Sequence, residues 1–213
     1  PIPLRLVGSE MCIRDSLSGN CSTNQNLKNI EFTEIIGVDG GTKHLFDRSI
    51  NPDVVLGDLD SIDTLLLERI KSMNINFVHY EVKKDKTDFE LSLDSIEKPS
   101  EKNIFLIGGE EGEVDHLFSI FSLVTNFEYA ENLTWFYQEK TILFRKNITI
   151  EIEKGSNFSI IPITDLKSLN ILGAEWELNQ EDIKAGSSKT LRNLSKSETV
   201  SINCEDGLFS LIY

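Results

Sequence analysis

The sequence predicts an α/β protein with a parallel sheet in its first part and an all-β sandwich in its second. Two observations carry this. Between residues 34 and 137 a short apolar run, a Gly/Asp-rich junction and a helically spaced segment recur in that order, as in a chain of βα units. After about residue 140 the texture changes to alternation broken by turn residues, the pattern of half-buried antiparallel strands. The expected architecture is therefore a Rossmann-like amino-terminal domain followed by a carboxy-terminal β-sandwich.

Each element has its own signal. EIIGV (34–38) is a strand that runs into Asp39-Gly40-Gly41 and a helical TKHLFDRS. DVVLG (53–57) runs into DLDS and then IDTLLLERIKSM. NINFVHY (74–80) leads through EVKKDKTD to FELSLDSI, where Thr87 and Glu90 fit a capping box and Phe89, Leu93 and Ile96 form the buried stripe. NIFLI (103–107) leads through GGEEGE to VDHLFSIFSLV, and NLTWFY (132–137) is a final strand. In the second part, NITIEIE puts Ile148, Ile150 and Ile152 on one face and Thr149, Glu151 and Glu153 on the other. TVSINCEDGLFSLIY reads as a hairpin turning at Asp206-Gly207.

These signals divide the chain at residues 17–139 for the α/β domain and 140–213 for the sandwich. Residues 1–16 are set apart: PIPLRLVGSEMCIRDS has no coherent period, and its core resembles translated sequencing-adapter text. A signal peptide does not fit, since Arg5, Glu10, Arg14 and Asp15 interrupt any apolar stretch.

Composition narrows the function. At 213 residues and 39% hydrophobic, with no long apolar run, the chain reads as a soluble globular protein without a membrane span. A formal net charge of −14 argues against a nucleic-acid partner, which requires clustered Lys and Arg. Cys12, Cys21 and Cys204 are odd in number and far apart, so neither a zinc site nor a disulfide framework is expected, and a reducing cytoplasm is the default.

The acids gather at one kind of place. Asp39, Asp58, Asp60, Asp85, Asp88 and Asp115 all fall at or near the carboxyl ends of expected strands, the edge where open parallel sheets bind ligands. Asp58 and Asp60 form a D-x-D, and residues two apart in a strand or in a tight turn can share one cation. Oxygen-seeking magnesium suits such a pair, while an Asx-rich turn explains it without a metal. Asp88 sits at a helix start, where the dipole favours a carboxylate with or without a ligand. The pairs Gly40-Gly41 and Gly108-Gly109 lie between strand and helix, open either to a phosphate or to a tight turn. His116, beside Asp115, is an orienting group or a satisfied histidine under its helix. Lys43, Lys84, Lys86 and Arg192 are candidate counter-charges.

Taken together, GVDGGTKHL, PDVVLGDLDSI, KDKTDFELSL and GGEEGEVDHL, in that order and spacing, resemble the thiamine pyrophosphokinase family. The resemblance runs from about residue 17 to the end. It implies transfer of a pyrophosphoryl group from ATP to the hydroxyl of thiamine by a magnesium-dependent homodimer. Position by position it implies that Asp39, Gly40 and Gly41 match the D-G-G motif, and Asp58 and Asp60 the acids of G-D-x-D-S. Asp85, Thr87 and Asp88 match D-x-T-D, and Gly108, Gly109, Asp115 and His116 the last motif. On this reading Asp58, Asp60 and Asp88 carry the metal and the chemistry, and the others hold ATP. GAEWELNQEDIKAGSSKTLRN is similar to the family's late segment, which implies that Trp176 stacks on thiamine while Thr190 and Asn193 hydrogen-bond near it. Glu113 and Ile120 depart from the family pattern, where Arg and Asn are common. Two other readings compete: a thiamine- or nucleotide-binding regulator without turnover, and a metal-dependent nucleotidyl or glycosyl transferase that uses the D-x-D.

Overall fold

A computed structural model describes residues 10–17, 21, 32–58, 62–81, 85–109 and 114–213, with residues 10–17 and 116 described as backbone alone. The chain divides into two compact units, one of Gly8–Leu123 with Asn132–Glu139 and one built mainly of Lys140–Tyr213 with Val124–Glu131.

The first unit is a parallel sheet with helices between its strands. Its strands are β1 (Glu10–Leu17), β2 (Glu34–Val38), β3 (Val54–Gly57), β4 (Asn76–His79), β5 (Lys102–Gly108) and β6 (Leu133–Tyr137). They lie in the order β6-β5-β1-β2-β3-β4, and every described pairing is parallel. The helices are α1 (Thr42–Asp47), α2 (Thr64–Ser72), α3 (Asp88–Asp94) and α4 (Val114–Asn126).

Both faces of the strands are covered, as parallel sheets require. Ile36, Val38 and Leu56 share one apolar cluster, while Val55, of opposite parity, packs with Phe46 of α1 and Leu66 and Ile70 of α2. Leu45 joins Phe105, Ile107 and Phe136 in a further cluster, where the Phe105 and Phe136 rings stack 5.8 Å apart. The helices start and stop at residues suited to it. The Asp63 carboxylate accepts from Leu66 N–H at 2.8 Å to cap α2, and the Thr87 hydroxyl accepts from Glu90 N–H at 3.1 Å to cap α3.

Residues 1–16 show no coherent period in the sequence, yet Glu10–Leu17 is β1, hydrogen-bonded to β2 on one side and β5 on the other. The reason is that a central strand is held by backbone bonds along both edges, which side-chain periodicity does not report. This strand creates the topological switch. The chain passes from β1 to β2, β3 and β4 on one side and returns to β5 on the other, so the crevice of the sheet opens where Leu17 pairs with Gly108.

The second unit contains β7 (Lys140–Arg145), β8 (Asn147–Glu151), β9 (Asn157–Pro162), β10 (Leu166–Leu172), β11 (Leu178–Ile183), β12 (Asn193–Leu194), β13 (Thr199–Asn203) and β14 (Phe209–Ile212). One layer runs β12-β9-β14-β7 and the other β11-β10-β13-β8. Their inner faces share a core: Leu143, Phe158, Ile160, Phe209 and Leu211 from the first, and Ile150, Leu169, Ile171, Val200 and Ile202 from the second. The alternation in NITIEIE is observed, with Ile150 and Ile152 buried and Thr149, Glu151 and Glu153 exposed.

The expected hairpin at Asp206-Gly207 does not form. β13 pairs with β8 and β10, whereas β14 pairs with β7 and β9, so residues 204–208 carry the chain from one layer to the other. Gly207 (φ +106) sits so close to the Asp165 carbonyl that a side chain could not fit, and Asp206 bridges to Lys167. The D-G pair therefore makes a crossover against β10 instead of a two-residue turn.

Candidate active site

The acid-rich stretch around β3 contains two acids with plain structural roles. The Asp53 carboxylate accepts from Ile35 N–H at 2.8 Å, tying the approach to β3 onto β2, and Asp63 is the cap of α2. The remaining acids are Asp58, half-buried at the end of β3, and Asp60, which lies outside the described residues.

Asp39 is brought to the same place from the neighbouring strand. It follows β2 directly and opens the turn Asp39–Gly41, with a left-handed backbone at φ 47°. A Cβ placed on Gly57 would stand 3.0 Å from both Cβ and Oδ1 of Asp39 and 3.2 Å from its Cα. Only glycine at position 57 lets Asp39 approach the end of β3 this closely, and Asp58 is the next residue along the chain. Gly37 plays a similar part: its Cα face is filled by the Thr42 hydroxyl at the start of α1. Thr42 is fully buried and its Oγ has no hydrogen-bond partner among the described residues.

The third expected motif is split by role. Thr87 is the cap of α3, Asp88 is the half-buried first residue of that helix, and Asp85 is exposed. α3 packs on β1, β2 and β3, so its amino terminus belongs to the same part of the sheet. Lys86 is no spare counter-charge. It bonds Asp94 at 2.6 Å and Glu90 at 3.2 Å, and the bond to Asp94 before that to Glu90 raises its pKa. Lys43 is exposed on α1, and Lys84 lies outside the described residues.

At the switch point β5 ends at Gly108 (φ 90°), and Gly109 (φ 77°) follows it. The Trp135 indole N–H donates to the Gly108 carbonyl at 3.1 Å and so fixes this end of the strand from β6. Asp115 is exposed in the first turn of α4, and His116 follows it on the helix backbone. Glu113 lies outside the described residues, and Ile120 is core, 1% exposed. Among the described residues no group of three or more His, Cys, Asp or Glu side chains is gathered closely enough to cage a metal.

The second unit carries a separate concavity of about 240 Å³ lined by Trp176, Lys189, Leu191, Arg192 and Asn193. Trp176 is 58% exposed, so it is not a core residue of the sandwich. Asn193 is buried, and its amide faces the Trp176 backbone: Oδ1 accepts from Trp176 N–H at 3.1 Å and Nδ2 donates to the Trp176 carbonyl at 2.8 Å. Thr190 is also buried, and its hydroxyl donates to the Ile160 carbonyl at 2.7 Å. Both polar residues are thus engaged with the fold behind the concavity while the indole faces outward.

The comparisons with known proteins fall on these two units in order. The catalytic-domain model of thiamin pyrophosphokinase matches residues 25–136, and the thiamin pyrophosphokinase vitamin B1 binding domain matches residues 142–209. The chain belongs to the thiamine pyrophosphokinase family. The thiamine pyrophosphokinase of Bacillus subtilis (strain 168) is 34% identical over 170 residues, covering 76% of this chain and 78% of that one. The fold agrees with a crystal structure of thiamine pyrophosphokinase from Bacillus subtilis, at a TM-score of 0.80 and 24% identity over 95% of this chain and 97% of that one. The yeast thiamin pyrophosphokinase has the same fold at a TM-score of 0.72 and 16% identity, covering 96% of this chain and 86% of the yeast chain. The family's activity is the transfer of pyrophosphate from ATP to thiamine.

Sequence reasoning missed three supports of this site. Asp53 was indistinguishable from the other acids of its stretch, because its partner, Ile35 N–H, is 18 residues away. Gly57 was read only as part of a strand end, and Trp135 only as an apolar strand residue. A glycine directly before a D-x-D and a tryptophan in a strand next to the Gly-Gly strand were the available signals.

Proposed function

We propose that this chain transfers the pyrophosphoryl group of ATP to the hydroxyl of thiamine, releasing AMP and thiamine diphosphate. The observation that supports this most is the order of the two family matches, which lay a catalytic domain over the strand-end acids and a vitamin-binding domain over the tryptophan-lined concavity. In this reading the catalytic domain spans 17–139 and the thiamine-binding domain 140–213.

Asp58, Asp60 and Asp88 would hold magnesium, and an all-carboxylate donor set fits that ion's preference for hard oxygen ligands. Bound there, the ion would offset charge on the phosphate oxygens during transfer. The residues of the chain do the rest. Backbone N–H groups at Gly40-Gly41 and Gly108-Gly109 receive phosphate oxygens, with Asp39, Asp85, Thr87, Asp115 and His116 bordering the nucleotide. A carboxylate of the pair Asp60 and Asp88 takes the proton of the attacking hydroxyl. Trp176 offers its face to the cationic rings of thiamine. Asn193 and Thr190 serve from behind that face. The active form is a cytoplasmic homodimer, and among the described residues no helix is long and apolar enough to cross a membrane.

Product analysis tests the reading. Purified protein with thiamine, ATP and magnesium is expected to yield AMP and thiamine diphosphate in equal amounts. Binding of thiamine by calorimetry with no product would point instead to the regulator, and release of a nucleoside diphosphate to a transferase of another kind.

A further inference from the structure

We infer that Asn193 is a positioning residue for the reaction, acting through Trp176 and not by touching the substrate. The inference rests on the reading of Trp176 as the thiamine contact. Trp176 lies in a bend between β10 and β11, outside either ladder, and its indole stands mostly in water. A bend of this kind has many accessible backbone conformations, and a ring carried on it would have to be ordered when ligand arrives. Here both backbone hydrogen bonds of Trp176 are made by one side chain, Asn193, at 3.1 Å and 2.8 Å.

An amide is the group suited to this. It presents one acceptor and one donor at the spacing of a peptide, so it copies the neighbouring strand that Trp176 lacks. The clamp is itself braced: Asn193 is 3% exposed, its Oδ1 also accepts from Leu194 N–H at 2.9 Å, and its backbone pairs with Phe158 of β9. The flanks of the bend are tied to the same segment, with Glu175 N–H donating to the Leu194 carbonyl at 2.8 Å and Lys196 N–H to the Gly173 carbonyl at 2.8 Å. The indole is thus held in place before any ligand binds, and the ordering cost is removed from the binding step. Asp at position 193 would keep an acceptor for Trp176 N–H but set a carboxylate against the Trp176 carbonyl.

The test is a cycle of Asn193→Asp and Trp176→Ala, read as KM for thiamine, KM for ATP and kcat in the full-length enzyme. Trp176→Ala is expected to raise KM for thiamine several-fold to about thirty-fold. Asn193→Asp is expected to raise it by roughly five-fold, with KM for ATP unchanged. The double variant is expected to be no worse than Trp176→Ala alone, because Asn193 acts only through that ring. Independent, multiplying effects would overturn the inference, since they would mean that Asn193 contacts thiamine itself. No effect of Asn193→Asp on KM for thiamine would overturn it too. If Trp176→Ala leaves KM for thiamine unchanged, the underlying reading of Trp176 fails, and that result is separate from either of the others. Amide exchange in the wild-type protein checks the clamp without any variant: the Trp176 N–H is expected to be protected despite its exposed side chain, and rapid exchange would contradict it.

Discussion

At the scale of single residues, the proposed site gives one glycine a part beside its acids. Gly57 leaves Asp39 3.0 Å from where a Cβ would stand. Gly57→Ala would push the ends of β2 and β3 apart and force a side chain onto a backbone at φ +153°. It is expected to cost about 1–3 kcal/mol of stability and to raise KM for ATP, measured by urea unfolding and initial rates. A variant as stable and as tight for ATP as the wild type would mean that the β2–β3 approach does not shape the site. Asp53 and Asp58 offer the matching contrast five positions apart in sequence. Asp53→Asn keeps an acceptor for Ile35 N–H and is expected to leave turnover near wild type, whereas Asp58→Asn is expected to remove it.

At the scale of elements, α3 places a structural cap and a proposed ligand next to each other at its start. Thr87 caps the helix, and Asp88 is its first residue. Thr87→Ala is expected to destabilise the protein by about 1 kcal/mol and Thr87→Ser by much less, read as the midpoint of urea unfolding. Most of this was legible in the sequence, because caps and stripes are local: Thr87, Glu90, Phe89 and Leu93 are all within one helix. The strands from EIIGV to NLTWFY were legible for the same reason, each being a short run rich in apolar residues. What was hidden depended on partners far along the chain. Glu10–Leu17 becomes a central strand through backbone bonds to β2 and β5, which no side-chain pattern announces. Asp206-Gly207 carries a hairpin signature, yet the neighbourhood of Asp165 and Lys167 turns it into a crossover. Of the candidate acids, the placement of Asp39 and Asp58 directly after β2 and β3 was legible, because an acid that follows an apolar run is a local signal. The engaged state of Thr190 and Asn193 was not, since it rests on Ile160 and Trp176, each in another segment.

At the scale of the whole molecule, a net charge of −14 makes pH a stability variable. In the second unit the Asp165 carboxyl is held below its usual range, first by its bond to Lys184 and then by Ala185 N–H. The Asp182 carboxyl is lowered likewise, first by Lys167 and then by Ser168 N–H. A carboxyl lowered in the folded state contributes stability that is full above its unfolded value and lost as pH falls through the folded one. Both pairs are exposed, so the effect of each is small. The melting temperature is expected to fall on acidification below the normal carboxylate range, and less steeply in Asp165→Asn/Asp182→Asn. Identical slopes would show that these pairs do not contribute.

Charge at this scale also bears on the proposed reaction, in which a cation would offset the repulsion between acidic strand ends and ATP. The most direct measurement of the central claim is therefore the formation of thiamine diphosphate and AMP by the purified wild-type protein, with and without magnesium, beside Asp58→Ala/Asp60→Ala. The account predicts equal amounts of both products, requiring the metal and lost in the double variant. Turnover that survives loss of both carboxylates, or a wild-type enzyme that makes neither product, would contradict it.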